Sequence, residues 1–313
     1  MNNYFETTLL EAIQKCEGHY INNNKFFTIY PYTTENINGY INNFDLNNKS
    51  LLTVGSSCDQ IINASLFGCK NITIVDICPF TKFYFYLKVA AIIVLNYNEF
   101  LTFFSYKNFT KLNEDNEFIF NLNTFQKLNS TLRLLDYESY LFWEELFSNY
   151  PGKTIRRRLF QHDEDTLKIL KNTNLYISNE EWFNRTKKYI TKIKTKFIIS
   201  DIKDIELNNY FDNIWLSNIG KYISLEELKY TVHKMYSFLN ENGRMLICYL
   251  YETNIDTKYK DEWEEIYDLN KVFKTFEEYN LNLINFNGIK NFMFNSVNSH
   301  TQNDAILLCK KKR

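Results

Sequence analysis

One stretch constrains this chain more than any other: LLTVGSSCDQIINASLFGCKNITIVDICPF, Leu51 to Phe80. A buried apolar run ends in a tight turn at Gly55, a helical segment follows, and a second strand closes on Asp76. A turn of this kind leaves backbone N–H groups free at a helix N-terminus, and an acid about twenty residues on reaches a ribose hydroxyl pair. The local geometry is that of a nucleoside-bearing ligand site.

The rest of the pattern extends this unit. Strands are expected at Leu51–Val54, Asn71–Val75, Phe197–Ser200, Asn213–Leu216 and Arg244–Leu250. Helices are expected at Asp59–Phe67, closed by Gly68, at Thr81–Leu95 and at Leu225–Leu239, with a turn at Asn242-Gly243. Strands alternating with helices predict an α/β fold with a doubly wound, Rossmann-like sheet. Leu281–Phe286, Asn291–Phe294 and Ala305–Cys309 are expected to supply one or two final strands, one of them antiparallel. Residues 1–50 read as an N-terminal helix, with Leu9, Leu10 and Ile13 as its apolar stripe, and an irregular arm. Residues 98–195 read as a helical, aromatic insertion between the second and third core strands. The core is then 51–97 together with 196–313. The insertion's Trp143, Trp182 and many Phe form either an apolar pocket or a second small core.

Composition excludes several classes. The 313 residues carry a formal net charge of −1, so no global field draws the chain to nucleic acid or an anionic membrane. No run approaches the roughly 20 apolar residues that span a bilayer, and MNNYFETTLL has neither the basic nor the apolar region of a signal peptide. A cytoplasmic location is expected. The six cysteines (Cys16, Cys58, Cys69, Cys78, Cys248 and Cys309) show no CxxC pair and suit free buried thiols. No metal site is expected: His19, His162, His233 and His300 stand alone. The Asn-rich pieces, such as Asn22-Asn23-Asn24, read only as turns, and Lys310–Arg313 as a frayed end.

The chemistry gathers at strand ends. Gly55 permits positive φ and close approach to a ligand, Ser56 and Ser57 offer hydroxyls, and Asp59 begins the helix, as ligand contact or as cap. The second and third glycines of a GxGxxG loop are missing, so a pyrophosphate fits poorly. A sulfonium ligand with a free amine and carboxylate fits better. Asp76 stands where a ribose-binding acid belongs, and Asp201 after the next strand; a solvated loop acid is the alternative for each. Ser217 and Asn218 follow the fourth strand at the edge where such sheets bind ligands, or cap the next helix.

These residues carry a resemblance. YPYTTENINGY, LLTVGSSCDQIINASLFGC, ITIVDICPFTKFYFYLKVAAI, LNYNEFLTFF and FDNIWLSNIGKYI resemble bacterial S-adenosylmethionine-dependent proteins related to the 3-amino-3-carboxypropyl transferases of betaine-lipid synthesis. The similarity is clearest over 28–106 and 197–250. It implies a class I methyltransferase sheet and S-adenosylmethionine as cofactor. The cofactor residues it implies are Tyr30, Thr33 and Thr34 on a closing arm, Gly55, Ser56, Ser57, Asp59 and Gln60 at the methionine end, Asp76 and Ile77 at the ribose, Asp201 and Ile202 at the adenine, and Ser217 and Asn218 at the reacting centre. Cys58 departs from a position where relatives commonly have Gly.

The expected activity is transfer of the aminocarboxypropyl group to a small-molecule or lipid-head acceptor, with residues 98–195 as the acceptor side. Glu35 is the first candidate base, Tyr222 the second, and Asn218 faces the reaction. Faces of Tyr30, Tyr32 or Tyr222 can hold the sulfonium. Methyl transfer, a non-catalytic binding protein, and an RNA-modifying enzyme gripping phosphate through Arg156-Arg157-Arg158 are the alternatives.

Overall fold

A computed structural model gives the architecture and describes residues 3–19, 27–104, 120–161, 167–251, 269–288 and 303–312. His162, His300, Asn22-Asn23-Asn24 and the expected strand 291–294 lie outside them.

The apolar, β-branched runs form the strands β1 (Ser50–Val54), β2 (Asn71–Asp76), β3 (Lys194–Ile199), β4 (Phe211–Trp215), β5 (Leu239–Leu250), β6 (Leu281–Asn287) and β7 (Asn303–Lys310). They make one seven-stranded sheet in the order β3-β2-β1-β4-β5-β7-β6. The pairs β1–β2, β1–β4, β2–β3 and β4–β5 are parallel, and β7 runs antiparallel to both β5 and β6. This is the expected doubly wound, Rossmann-like sheet. Strand order reverses between β1 and β4, so their carboxyl ends open a crevice.

The helices are α1 (Asn3–Glu17), α2 (Ile37–Tyr40), α3 (Asp59–Leu66), α4 (Phe80–Val94), α5 (Tyr97–Phe104), α6 (Leu122–Leu135), α7 (Tyr137–Asn149), α8 (Gly152–Leu159), α9 (Leu167–Thr173), α10 (Glu180–Ile190), α11 (Leu225–Ser237) and α12 (Leu269–Thr275). One face of the sheet packs on α11 and α12 through Leu228, Val232, Met235, Val272 and Phe276. The other face carries a larger core, to which α1, the arm, α3, α4 and the helices α5 to α8 and α10 all contribute.

Three local expectations are corrected. In α1 the expected Leu9 and Ile13 do pack on the core beside the buried Phe5, Ala12 and Cys16, whereas Leu10 is 56% exposed; only a side chain at the right phase of the 3.6-residue turn meets the core. Asn242-Gly243 does not separate helix from strand. β5 runs through it with an irregular register against β4, and Asn242 takes a left-handed φ of 61°. The described helices of the insertion share the main core instead of building a second one: Trp143 is fully buried against Phe80 and Phe142, and its Nε1 donates to the Phe83 carbonyl of α4 at 2.9 Å. Trp182 packs only at the edge of this core. All six cysteines are free and buried.

Candidate functional site

The turn after β1 is closed by Cys58 N–H donating to the Gly55 carbonyl at 2.8 Å. Its positive φ angles fall on Ser56 (44°) and Cys58 (68°), not on Gly55. Gly55 is needed for a different reason. A Cβ there would lie 2.5 Å from Thr81 Cγ2 and 2.8 Å from Asp76 Oδ2. The buried Cys58 thiol faces the carbonyls of Ser56 and Thr81. Glycine would relieve its left-handed backbone.

Asp76 holds this turn. Its Oδ2 accepts from Ser56 N–H at 2.6 Å and its Oδ1 from Cys78 N–H at 2.8 Å. Burial raises its pKa, against the lowering effect of those bonds. Asp76 is 8% exposed, and the next residue, Ile77, is 45% exposed. An acid under the turn and an apolar side chain on its rim therefore stand together at the end of β2.

Asp59 does not reach the cleft. It is 0% exposed, and four donors fill its lone-pair sites. Lys88 Nζ (2.5 Å) and Tyr176 OH (2.6 Å) donate to Oδ1; Thr33 N–H (2.6 Å) and Ser57 Oγ (3.2 Å) donate to Oδ2. Lys88, also 0% exposed, further donates to the carbonyls of Pro31 at 2.8 Å and Ser57 at 3.0 Å. Rings of Tyr32, Tyr84 and Tyr176 surround its ammonium, with centroids at 4.7, 5.3 and 5.8 Å. The pair thus pins the arm to the turn and to α4. This corrects the expectation of Asp59 as a ligand contact: its charge is already matched inside the protein.

A second polar cluster lies where β1 and β4 part. The buried Glu35 accepts from Ser217 Oγ on Oε1, and from Tyr40 OH (3.2 Å) and Gln60 Nε2 (3.5 Å) on Oε2. Burial pushes its pKa up to about 7, against the lowering effect of Ser217, Tyr40 and Gln60. Gln60 Nε2 also approaches Thr33 Oγ1 and Ser217 Oγ at 3.5 Å, while Gln60 Oε1, buried, has no donor. Ser217 holds a φ of 57°. Asn218 Nδ2 donates to Tyr251 OH at 3.1 Å, and that hydroxyl meets Thr34 Oγ1 at 3.0 Å. Tyr249 OH donates to Asp304 Oδ2 at 2.5 Å and accepts from Asn36 N–H at 3.0 Å, fastening the arm to β5 and β7.

Three of the five described non-glycine residues with positive φ are Ser56, Cys58 and Ser217, at the ends of β1 and β4. The other two are Asn48 and Asn242, a residue type that tolerates this region. Such strain of about 1–3 kcal/mol per residue persists where surroundings enforce it, and it clusters at functional sites.

The structure brings Thr33, Thr34, Glu35, Gln60, Ser217 and Asn218 together, with Gly55, Ser56, Ser57 and Asp76 in the adjoining turn. Tyr30 and Tyr222 stand at the rim. Tyr222 is 54% exposed, and burial, then Tyr30 and Glu35, raise its pKa. Asp201, half-buried, accepts from Lys203 N–H at 3.1 Å and pairs with Lys203 Nζ at 3.5 Å. Ile202, almost fully buried, packs in the core with Leu225 and Leu228 of α11. Arg156 is buried on the faces of Phe120 and Phe160 and donates to the Phe104 carbonyl, so the run Arg156-Arg157-Arg158 loses its first member as a phosphate grip. Among the described residues no group of three His, Cys, Asp or Glu side chains assembles, and no helix is long and apolar enough to cross a membrane.

Sequence reasoning missed Tyr40, Tyr176, Tyr249, Tyr251 and Lys88 as site-building residues. For Lys88 a signal existed: a lone cation inside the apolar run FYFYLKVAAIIV must find a buried anion. The tyrosines carry no such signal in a chain with 23 of them.

No protein-family model matches the chain, and no curated protein does. Solved structures of similar outline include the N-methyltransferase NodS from Bradyrhizobium japonicum WM9 in complex with S-adenosyl-l-homocysteine (8% identity, 100% of this chain and 89% of that one, TM-score 0.38). A methyltransferase from Pyrococcus furiosus aligns at 12% identity over 98% of both chains, TM-score 0.38. A putative S-adenosylmethionine-dependent methyltransferase from Listeria monocytogenes aligns at 9% over 86% and 93%, TM-score 0.37. Likeness at this level carries no functional weight; strand order and cleft residues do.

Proposed function

We propose that this chain is an S-adenosylmethionine-dependent transferase working at the crevice between β1 and β4. The observation that carries this reading is the convergence there of a strained serine turn, a turn-holding acid at the end of β2 and a buried carboxyl, Glu35. The cleft fits such a cofactor. Ile77 offers an exposed apolar surface beside Asp76, as a ring and its ribose need.

Asp76 would hold the ribose and the Gly55–Cys58 turn the methionine end, with Thr33, Thr34 and Gln60 closing over it. The arc from Ile77 to Asp201 would take the adenine. When bound, the cofactor supplies a sulfonium whose methyl or aminocarboxypropyl carbon is electrophilic. The protein decides which carbon meets the acceptor by placement, since only an aligned carbon at about 3–3.5 Å reacts. Ser217 and Asn218 orient groups at that point, and Glu35, poised near neutrality, holds or accepts a proton. Tyr222 is the second proton-handling group. Aminocarboxypropyl transfer to a small-molecule or lipid-head acceptor is the reading drawn from the sequence resemblance, and methyl transfer uses the same cleft. The helices of 98–195 are proposed as the acceptor side, and the arm as the lid.

Product analysis tests this directly. Incubation with S-adenosylmethionine and acceptor extracts should release methylthioadenosine if the aminocarboxypropyl group moves, or S-adenosylhomocysteine if methyl moves. Release of neither overturns the enzymatic reading.

A further inference from the structure

Glu35 has an unusual position for a carboxyl. It is 1% exposed, and each partner the structure gives it is neutral: Ser217, Tyr40, Gln60 and the Asn218 backbone. The nearby acid Asp59 is matched by Lys88. Buried carboxylates ordinarily have a cationic partner, because desolvation of an isolated charge is costly. Next to Glu35, the buried Gln60 Oε1 is a second acceptor with no donor. Two acceptors on neighbouring residues, one of them able to carry charge, are thus buried together, and among the described residues no ion pair includes Glu35.

The surrounding groups share this character. Tyr40 donates to Glu35 from α2, and Tyr251 at the end of β5 and Tyr222 in the loop after β4 feel its charge; burial and Glu35 both raise each phenol, and Tyr30 adds to the effect at Tyr222. Phenol rings attract cations by their faces. Glu35's partners Ser217, Asn218 and Tyr40 belong to the β4 side of the crevice. The Gly55–Cys58 turn, the methionine end, lies across from them.

From this juxtaposition we infer that the acceptor is an amine, bound as its ammonium with the charge against Glu35 and an N–H on Gln60 Oε1. This rests on the transferase reading above and names its substrate class. A hydroxyl acceptor would leave Glu35 without a counter-charge. An ammonium supplies that charge, satisfies the orphaned amide oxygen, and gives up one proton to the Glu35 carboxylate, leaving nitrogen with its lone pair.

Calorimetry with two isosteric probes tests the inference. The protein is first titrated with S-adenosylhomocysteine, then, loaded, with n-butylammonium and with n-butanol at low salt and at about pH 8.5, where Glu35, with its pKa of about 7, is ionised. Butylammonium should bind about tenfold or more tighter than butanol. Glu35→Gln should erase that preference while S-adenosylhomocysteine affinity stays within about threefold. Gln60→Leu, which keeps the charge, should weaken butylammonium by about fivefold or more, and serves if Glu35→Gln fails to fold. Equal affinities for the two probes overturn the inference. So does a Glu35→Gln protein that keeps the preference, or one that loses S-adenosylhomocysteine instead, which would place the cofactor's own ammonium at Glu35. Wild-type protein that binds no S-adenosylhomocysteine overturns the transferase reading first, and this one with it.

Discussion

Glu35 and Asp59 are two buried acids beside the crevice with opposite fates. Asp59 is paired, saturated and structural; Glu35 is buried among neutral donors and stays available. The direction of the Glu35 shift gives a stability prediction. Its folded pKa of about 7 lies above the ordinary 4.5, so the folded state binds more protons between those values and stability falls as pH rises through that window. Glu35→Gln removes this dependence. The variant should be more stable than wild type at pH 8, by up to roughly 3 kcal/mol, with the gain vanishing near pH 4, as read by urea denaturation at several pH values. Asp76 shifts in the same direction, so only the difference between variant and wild type isolates Glu35. Lys88→Met should behave differently. It strands Asp59 as a buried, uncompensated charge at a cost of about 3–5 kcal/mol, and Asp59→Asn in the same protein should restore part of it. Glu35 was legible in the sequence because it sits in a short polar arm ahead of the first core strand. The Lys88 pairing was not, since 29 residues separate it from Asp59 and only the packing of α4 on α3 joins them.

Among elements, the arm from Ile29 to Asn36 matters most. It is tied by Thr33 N–H to Asp59, by the Pro31 carbonyl to Lys88 and Tyr84, and by Asn36 N–H to Tyr249. An irregular segment with such anchors should exchange slowly. The Thr33 and Asn36 amides should show hydrogen-exchange protection like that of neighbouring β1, and Lys88→Met should deprotect Thr33 well before the core opens; equal loss at both sites would refute a local lock. The strands and the turn at Gly55 were legible because β-branched runs and turn residues are local signals. The anchors were not, as they depend on contacts 26 to 213 residues apart. The same distinction explains Asp76. Its place at a strand end was readable, but its bonds to Ser56 and Cys78 were not. Asp76→Ala would orphan two buried N–H groups, so Asp76→Asn is the cleaner probe of ligand contact.

For the whole molecule, the alternation of strands and helices in 51–97 and 197–250 was enough to anticipate the doubly wound sheet. The insertion's role was not readable, because an aromatic helix looks alike whether it lines a pocket or fills a core. It fills the core: Phe142 stacks on Phe83 with centroids at 4.3 Å. Trp143→Ala should therefore cost about 3–5 kcal/mol in one cooperative transition; a separate early transition for the helical layer would contradict a shared core. The account as a whole depends on what enters the crevice between β1 and β4. Titration calorimetry with S-adenosylhomocysteine tests that most directly. The prediction is one site per chain, weakened about tenfold or more by Asp76→Asn. No heat of binding at millimolar ligand to the folded wild-type protein would contradict it.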